Sequence, residues 1–472
     1  MNSSTTLPLP DGANITVPNS LNLLTTYVLT EQEDWFEEEI KFLRQLIKPG
    51  QKVIDVGANY GVYTLTLAKL VGHSGHVWSF EPASKTAAFL GESIASNDLD
   101  QVTLAQQALS DSSGSAALSL HENSEMNALS RTAEDKDNSE TVTLVKLDDC
   151  MQQNDWDAID FIKLDAEGEE LKILEGGHSF FTSLSPLVQY EVKEGRQLHL
   201  ELTKAFSQLG YASYRLVPGL DVLVPFNEED PVDDYLLNLF CCKHDRAEKL
   251  ASEGVLVTAD AWKQAGDTGV AYDEGVSDGL NQDGISSLVT TPYGMQCAPA
   301  WKNSAAAGLS EDLVAGMSHY ALSQDSSQTK VMRLYALQKS LQHFQSLCDE
   351  GAIALHLASL ARVAKEYGFR GIAVKALRQL SHSIFQEQGT NTSEPFLAPT
   401  RRFESVVPSG PMGNWVLAAT LEALTQQEAF SSYYTGEATR PRLLVLSELG
   451  YSSAEMQRRL KLINLRFPQP EV

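Results

Sequence analysis

The sequence predicts an α/β fold: a doubly wound sheet ending in an antiparallel edge hairpin, followed by an all-α C-terminal region. Three observations predict it. Strand-like and helix-like patterns alternate from Lys52 to Cys242. The last two strand-like runs of that series, YASYRLV and YLLNLFCC, have no good helix between them, so they pair antiparallel. From about residue 309 the apolar spacing is helical almost to the end.

Residues 1–25 form an N-terminal extension, and residues 26–50 read as one helix. Trp35, Phe36, Ile40, Leu43 and Ile47 recur at helical spacing, and Pro49-Gly50 ends the run. KVIDV is a strand and Val62–Val71 a helix. HVWSFE is a strand and SKTAAFLGESIASN a helix. VTLAQQAL, SAALSL and TVTLVKL are strands, the last two flanking a polar loop at 122–140. IDFIKLD and the helix EGEELKILEGG follow, then LVQYEV and the helix RQLHLELTKAFSQLG. Residues 26–244 thus form one α/β domain.

Residues 245–308 are rich in Gly, Asp, Ser and Thr and read as a linker or irregular segment. Residues 309–472 form a helical domain with helices near 310–323, 328–348, 351–366, 371–385, 412–427, 441–449 and 453–463. The stretch ALHLASLARVAKEYGFRGIAVKALRQL resembles one tetratricopeptide-type helix pair. An array needs several copies, so a repeat scaffold stays an open alternative.

Composition narrows the function. Residues 1–244 hold 16 Lys and Arg against 38 Asp and Glu. So acidic a surface repels nucleic acid and anionic membrane, and neither is expected as a partner. No apolar run has the length of a membrane helix, and MNSSTTLPLPDGAN lacks the features of a secretory leader. The five cysteines form no CxxC pair, which fits a reducing, cytoplasmic location.

VIDVGANYGVYTL has the spacing Asp55-x-Gly57-x-x-x-Gly61. A dinucleotide loop carries a glycine where this chain has Asn59, and no acid before its first glycine. Asp55 beside the loop is a poor neighbour for pyrophosphate and a good one for an ammonium group. S-adenosyl-L-methionine has that ammonium and no phosphate, so it is the expected cofactor. Glu81 ends the second strand, where an acid accepts hydrogen bonds from ribose hydroxyls. Asp111 in ALSD falls where an adenine edge would lie. A glycine after a buried strand also makes a plain tight turn, so the loop alone would not identify a cofactor.

VIDVGANYGVYTLTLA, SFEP, Asn97-Asp98-Leu99, ALSD and IDFIKLDAEGEELKILEG followed by PLVQYEV, in that order, resemble the FkbM family of class I S-adenosylmethionine-dependent methyltransferases. The resemblance spans about residues 26–244 and leaves the remainder uncovered. It implies a Rossmann-like methyltransferase sheet and O-methylation of a hydroxyl on a glycan or secondary metabolite. It also implies cofactor roles for Asp55, Gly57, Asn59, Gly61 and Glu81, and an acceptor-facing position for Asn127 to Ser130. The family's KIDVEG reads Lys163-Leu164-Asp165-Ala166-Glu167-Gly168 in this chain, with the charged positions kept.

Ligands of doubly wound sheets bind beyond the carboxyl ends of the strands, where IDFIKLD ends. Alternation places Lys163 and Asp165 on one face. A hydroxyl is a weak nucleophile, and a carboxylate within reach takes its proton during transfer. Asp165 is the first candidate base and Glu167 the second, with Lys163 holding Asp165 ionised. Glu167 has an equal alternative as an acid near a helix N-terminus. Glu169 and Glu170 read as solvated helix residues. Glu191 ends the next strand, as an acceptor-binding residue or an edge acid facing water. Asp165, Glu167 and Glu191 offer hard oxygen ligands, but an Asp-Asn pair after the fourth strand is lacking, so no metal is expected.

Three other functions compete: N- or C-methylation on the same scaffold, a partner-binding scaffold with a degenerate front domain, and an NAD oxidoreductase. The intact Asp55, Glu81 and Asp165 disfavour the second, and the missing GxGxxG the third. The helical domain would bind a protein partner, self-associate or position a long acceptor; its basic run RRLKLINLR suits docking on an acidic surface but reads first as a solvated helix face.

Overall fold

The computed structural model describes residues 4–121, 124, 127–130, 138–194, 197–198, 200–229, 232–267, 283–349, 353–387, 390–398 and 399–468. The chain divides into two units, the first comprising Met1–Leu216, Pro225–Val232 and Leu236–Glu253, the second Val217–Val224, Asp233–Tyr235 and Gly254–Val472.

The first unit opens with an antiparallel hairpin of β1 (Ser4–Pro8) and β2 (Asn14–Pro18). Two helices follow, α1 (Leu24–Gln32) and α2 (Glu38–Leu46), where the apolar spacing predicts one. Glu33 closes α1 in the left-handed region at φ 61°, donating its N–H to Leu29 O. Asp34 then accepts the Trp35 N–H and both arms of the Arg44 guanidinium at 2.7 Å. Local hydrogen bonding of this kind outcompetes helix continuation. The break aims Trp35 and Glu37 away from the helix axis and toward the site described below.

The alternating series then runs β3 (Lys52–Val56), α3 (Val62–Val71), β4 (His76–Phe80), α4 (Ser84–Ser96) and β5 (Val102–Ala105). β6 (Ala108–Leu109), β7 (Gly114–Ser119), β8 (Ala128–Ser130) and β9 (Ser139–Val145) form a separate four-stranded sheet, ordered β6-β9-β7-β8. After α5 (Leu147–Gln153) come β10 (Phe161–Leu164), α6 (Glu170–Gly176), α7 (His178–Ser183) and β11 (Leu187–Glu191). A short hairpin of β12 (Lys193–Glu194) and β13 (Gln197–Leu198) precedes α8 (Glu201–Gln208), which is shorter than its sequence pattern predicts. β14 (Ala212–Val217), β15 (Val222–Pro225), β16 (Asn238–Cys242) and α9 (His244–Ser252) complete the series.

The main sheet of the first unit runs β14-β16-β11-β10-β3-β4-β5. β3 pairs parallel with both β4 and β10, and β10 parallel with β11. β16 pairs antiparallel with β11 and β14, as the missing helix between the last strands predicts. The chain proceeds outward from β3 through β4 and β5, then returns to the other side of β3 at β10. Such a reversal opens a crevice at the strand ends. Both faces are covered, so every residue of β10 is buried, Lys163 included, and all of β11 but Glu191. Phe161, Phe180, Phe181 and Phe206 close the core beneath, all essentially inaccessible.

In the second unit the expected helices appear, among them Glu311–Gln324, Lys330–Asp349, His356–Tyr367, Arg370–Glu387 and Met412–Glu428. The segment read as linker is helical in good part, with Ala259–Asp267, Asp283–Leu288 and Pro292–Ala307. Pro292 sits in the first turn of the last of these, and the Thr291 hydroxyl accepts the Gly294 N–H. That is a proper helix start. Tyr293, Cys297 and Trp301 then bury one face at four-residue intervals. The polar composition and the internal Pro299 hide it in the sequence.

Candidate functional site

A cavity enclosing about 990 Å³, its open mouth included, lies at the carboxyl ends of β3, β4 and β10. The strand ends line it together with Trp35 and Glu37 of the α1–α2 break, Tyr63 of α3, and Leu118 and Leu129 of the second sheet.

The β3 loop forms the floor. Gly57 has φ +74°, and a Cβ there would lie 1.7 Å from the carbonyl oxygen of Asp165. Gly61 has φ +99°, and a Cβ there would strike Leu90 at 2.3 Å. Only glycine meets both demands at either position. Asn59, itself left-handed at φ 49°, donates its N–H to Glu81 Oε2 at 2.8 Å. Its side-chain oxygen accepts the Tyr60 N–H and the Ser124 hydroxyl, both at 2.8 Å.

Asp55 ends β3 fully buried. Its Oδ2 accepts the Thr64 hydroxyl at 2.6 Å, while Oδ1 has no hydrogen-bond partner. Burial raises its pKa against the opposing charge of Lys163. An unmet buried carboxylate oxygen beside a cavity needs a donor, and it fits a ligand bringing one. Glu81, 6% exposed, accepts the N–H groups of Asn59 and Ala83. Burial pushes its carboxyl up to about 7.

At the β10 end Lys163 Nζ donates to Asp165 Oδ2 at 2.6 Å and lies 4.7 Å from the centre of the Tyr63 ring. Burial disfavours its charge, but Asp165, Asp55 and Glu37 more than offset this, so the ammonium is held above its ordinary pKa. Asp165 itself is about one-third exposed and lines the cavity. Glu167 is exposed on the rim at φ 48°. Glu191, at the end of β11, lies outside the lining; burial and the charges of Asp165, Glu167 and Glu37 push its carboxyl up to about 10.

Two expectations need correction. Asp111 is exposed and outside the cavity lining. The run VTLAQQAL is two strands: β5 ends at Ala105, and β6 leaves the main sheet to pair with β9. The chain therefore delivers Gln107, Ala108 and Leu109 to the cavity, and has passed it by Asp111. Glu169 and Glu170 are also not solvated, at 6% and 8% exposure. Glu170 accepts the N–H groups of Ala166 and Gly168, bracing the loop after β10. Glu169 accepts from Ser110 and Lys172 and lines the cavity.

The polar loop contributes Ser124, Asn127 and Leu129 to the lining. Asn127 Oδ1 accepts the His121 N–H at 2.8 Å. The side chain of Ser130 lies outside the described residues. Sequence reasoning missed Trp35, Glu37 and Tyr63, which line the cavity from the α1–α2 break and α3. The signal for Trp35 and Glu37 lay in the acidic, aromatic run EDWFEEE, which the helical spacing absorbed into one helix.

Six carboxylates (Glu37, Asp55, Glu81, Asp165, Glu167 and Glu169) therefore face this cavity, and Lys163 is the only cation among its described lining residues. Such a surface disfavours polyphosphate and suits a ligand bearing positive charge.

Residues 55–213 match the model of the methyltransferase FkbM domain. Among curated proteins none matches the chain. Among solved structures, the methyltransferase FkbM from Methylobacillus flagellatus KT is 18% identical with a TM-score of 0.29, over 41% of this chain and 43% of that one. A SAM-dependent O-methyltransferase from Thermotoga maritima is 14% identical with a TM-score of 0.25, over 51% and 77% respectively. At such identities and TM-scores these likenesses add nothing to the family match. The match takes in the last two residues of β3, all of β4 and β10, and their loops, so residues 55–213 are similar to a methyltransferase FkbM domain.

Proposed function

We propose that the chain is an S-adenosylmethionine-dependent O-methyltransferase acting on a hydroxyl of a glycan or small secondary metabolite. The observation that carries this is the unpartnered Asp55 Oδ1 beside Glu81 in an acidic cavity of an FkbM domain. The cofactor supplies an electrophilic methyl group on a sulfonium. Asp55 and the β3 loop would hold its ammonium, and Glu81 its ribose hydroxyls. Gln107 and Leu109 would flank its base, replacing Asp111 in that role.

Asp165 takes the proton from the acceptor hydroxyl as its oxygen forms the new bond to carbon. Lys163 fixes the carboxylate by donating to its Oδ2. Asn127 and Glu167 at the mouth would contact the acceptor. Positioning supplies most of the acceleration in such a transfer. The five cysteines are free, which supports a reducing, cytoplasmic location. Among the described residues no helix is long and apolar enough to cross a membrane.

The test is methyl transfer from labelled cofactor to a panel of neutral glycosides and polyketide alcohols, with Asp165→Asn as control. Transfer to oxygen that falls about 10²–10⁴-fold in the variant supports the reading. Transfer confined to nitrogen or carbon acceptors would replace it with the alternative chemistry on the same scaffold.

A further inference from the structure

Carboxylates crowd the β10 end of the cavity, and one of them comes from outside the sheet. Glu37 hangs from the α1–α2 break. It accepts the Trp35 indole N–H at 2.9 Å, the Tyr63 hydroxyl at 2.5 Å and the Asn238 amide at 3.2 Å. Gln189 Nε2 donates to the Tyr63 oxygen at 3.2 Å, so the proton of Tyr63 is directed at Glu37. Burial and the like charge of Asp165 push the Glu37 carboxyl up, while the charge of Lys163 and the donated hydrogen bonds favour its ionised form. The three donors hold the carboxylate in one place. The nearby ammonium of Lys163 is already engaged by Asp165 and faces Asp55 across the strand pair. Glu37, Asp55 and Asp165 thus set three carboxylates around one ammonium.

We propose that Glu37 is a positioning residue that makes this end of the cavity charge-selective, favouring the cationic cofactor over its neutral thioether product. The inference rests on the function proposed above. In the transfer, the carbon–sulfur bond breaks with its electron pair left on sulfur. The acceptor oxygen bonds to the methyl carbon, and its proton passes to Asp165. The sulfonium charge is lost, so the attraction that held the donor is absent from the product. A fixed anion in a partly buried site attracts a nearby cation strongly enough to change a binding constant about tenfold or more. Product would therefore leave readily and inhibit weakly.

The test compares three probes by calorimetry: S-adenosylmethionine, its cationic amine analogue sinefungin, and S-adenosylhomocysteine. The wild type should bind both cations more tightly than S-adenosylhomocysteine. Glu37→Gln should cut that preference about tenfold. It should do so by weakening the cations, with S-adenosylhomocysteine affinity changed less than about twofold, a split that damage to the fold would not produce. Tyr63→Phe keeps the ring under Lys163 and removes one donor to Glu37. It should cut the preference by a smaller factor, and it serves if Glu37→Gln does not fold. Equal weakening of all three probes, or an unchanged preference, would overturn the proposal. Failure of the wild type to bind any of the three probes would instead sink the cofactor reading beneath it.

Discussion

Gly57 and the backbone of Asp165 are in direct contact: a Cβ on Gly57 would lie 1.7 Å from the Asp165 carbonyl oxygen. The first loop of the cofactor side and the strand tip that carries the candidate base are thus one packed unit. β3 and β10 are neighbours in register, with Asp55 opposite Lys163 and Val56 opposite Leu164, so the two loops emerge side by side. The close approach fixes the spacing between the β3 loop and the Asp165 tip of β10.

Gly57→Ala should therefore damage both folding and binding. The substitution combines a positive φ with a clash against backbone, which cannot rotate away as a side chain would. A loss of at least about 2 kcal/mol in unfolding free energy is expected, with S-adenosylhomocysteine binding abolished in whatever remains folded. Denaturant unfolding and calorimetry measure the two effects. A variant of wild-type stability would show that the β3 and β10 loops are not held together as described.

Glu81 gives a pH dependence with a definite sign. Burial raises its carboxyl to about 7 in the folded protein, so the native state binds this proton more tightly than the unfolded chain does. Its contribution to stability is then present at low pH and lost as pH rises toward 7. Ribose hydroxyls donate to the ionised form, so cofactor binding should strengthen in the same interval. The Kd for S-adenosylhomocysteine should fall up to about tenfold from pH 6 to pH 8. Glu81→Gln should bind more weakly and show a flat profile. An unchanged slope in the variant would assign the titration to another group.

Lys163 predicts a stability effect that its neighbour can reverse. Its ammonium is 4% exposed and faces the carboxylates of Asp165, Asp55 and Glu37. Lys163→Met leaves these charges uncompensated and should cost about 3–5 kcal/mol. Adding Asp165→Asn removes one carboxylate, and the double variant should recover part of the loss. Additive losses in chemical denaturation would mean that the two side chains do not interact as the 2.6 Å contact indicates.

The sequence carried the parts of the site that the strands themselves dictate. Asp55, Gly57, Gly61, Glu81 and Asp165 sit at strand ends or in their first turns, where period and spacing fix position. Asp111 falls outside the lining because β5 gives way to β6 at Gln106-Gln107, a polar pair that the strand pattern reads straight through. The change of sheet is a pairing choice made by β9, remote in sequence. Glu37 was missed for the opposite reason. Helical spacing runs through residues 33–37, and the left-handed turn that interrupts it is set by Asp34 engaging Arg44 ten residues on. Glu169 and Glu170 looked exposed because their partners, Ser110 and the backbone of the preceding loop, leave no periodic trace.

The most direct test of the central claim is calorimetric titration of S-adenosylhomocysteine into the wild type and into Asp55→Ala. Micromolar binding by the wild type, lost in a variant that keeps its thermal transition, is the predicted result. Absence of binding by the folded wild type would contradict the assignment of this cavity to the cofactor.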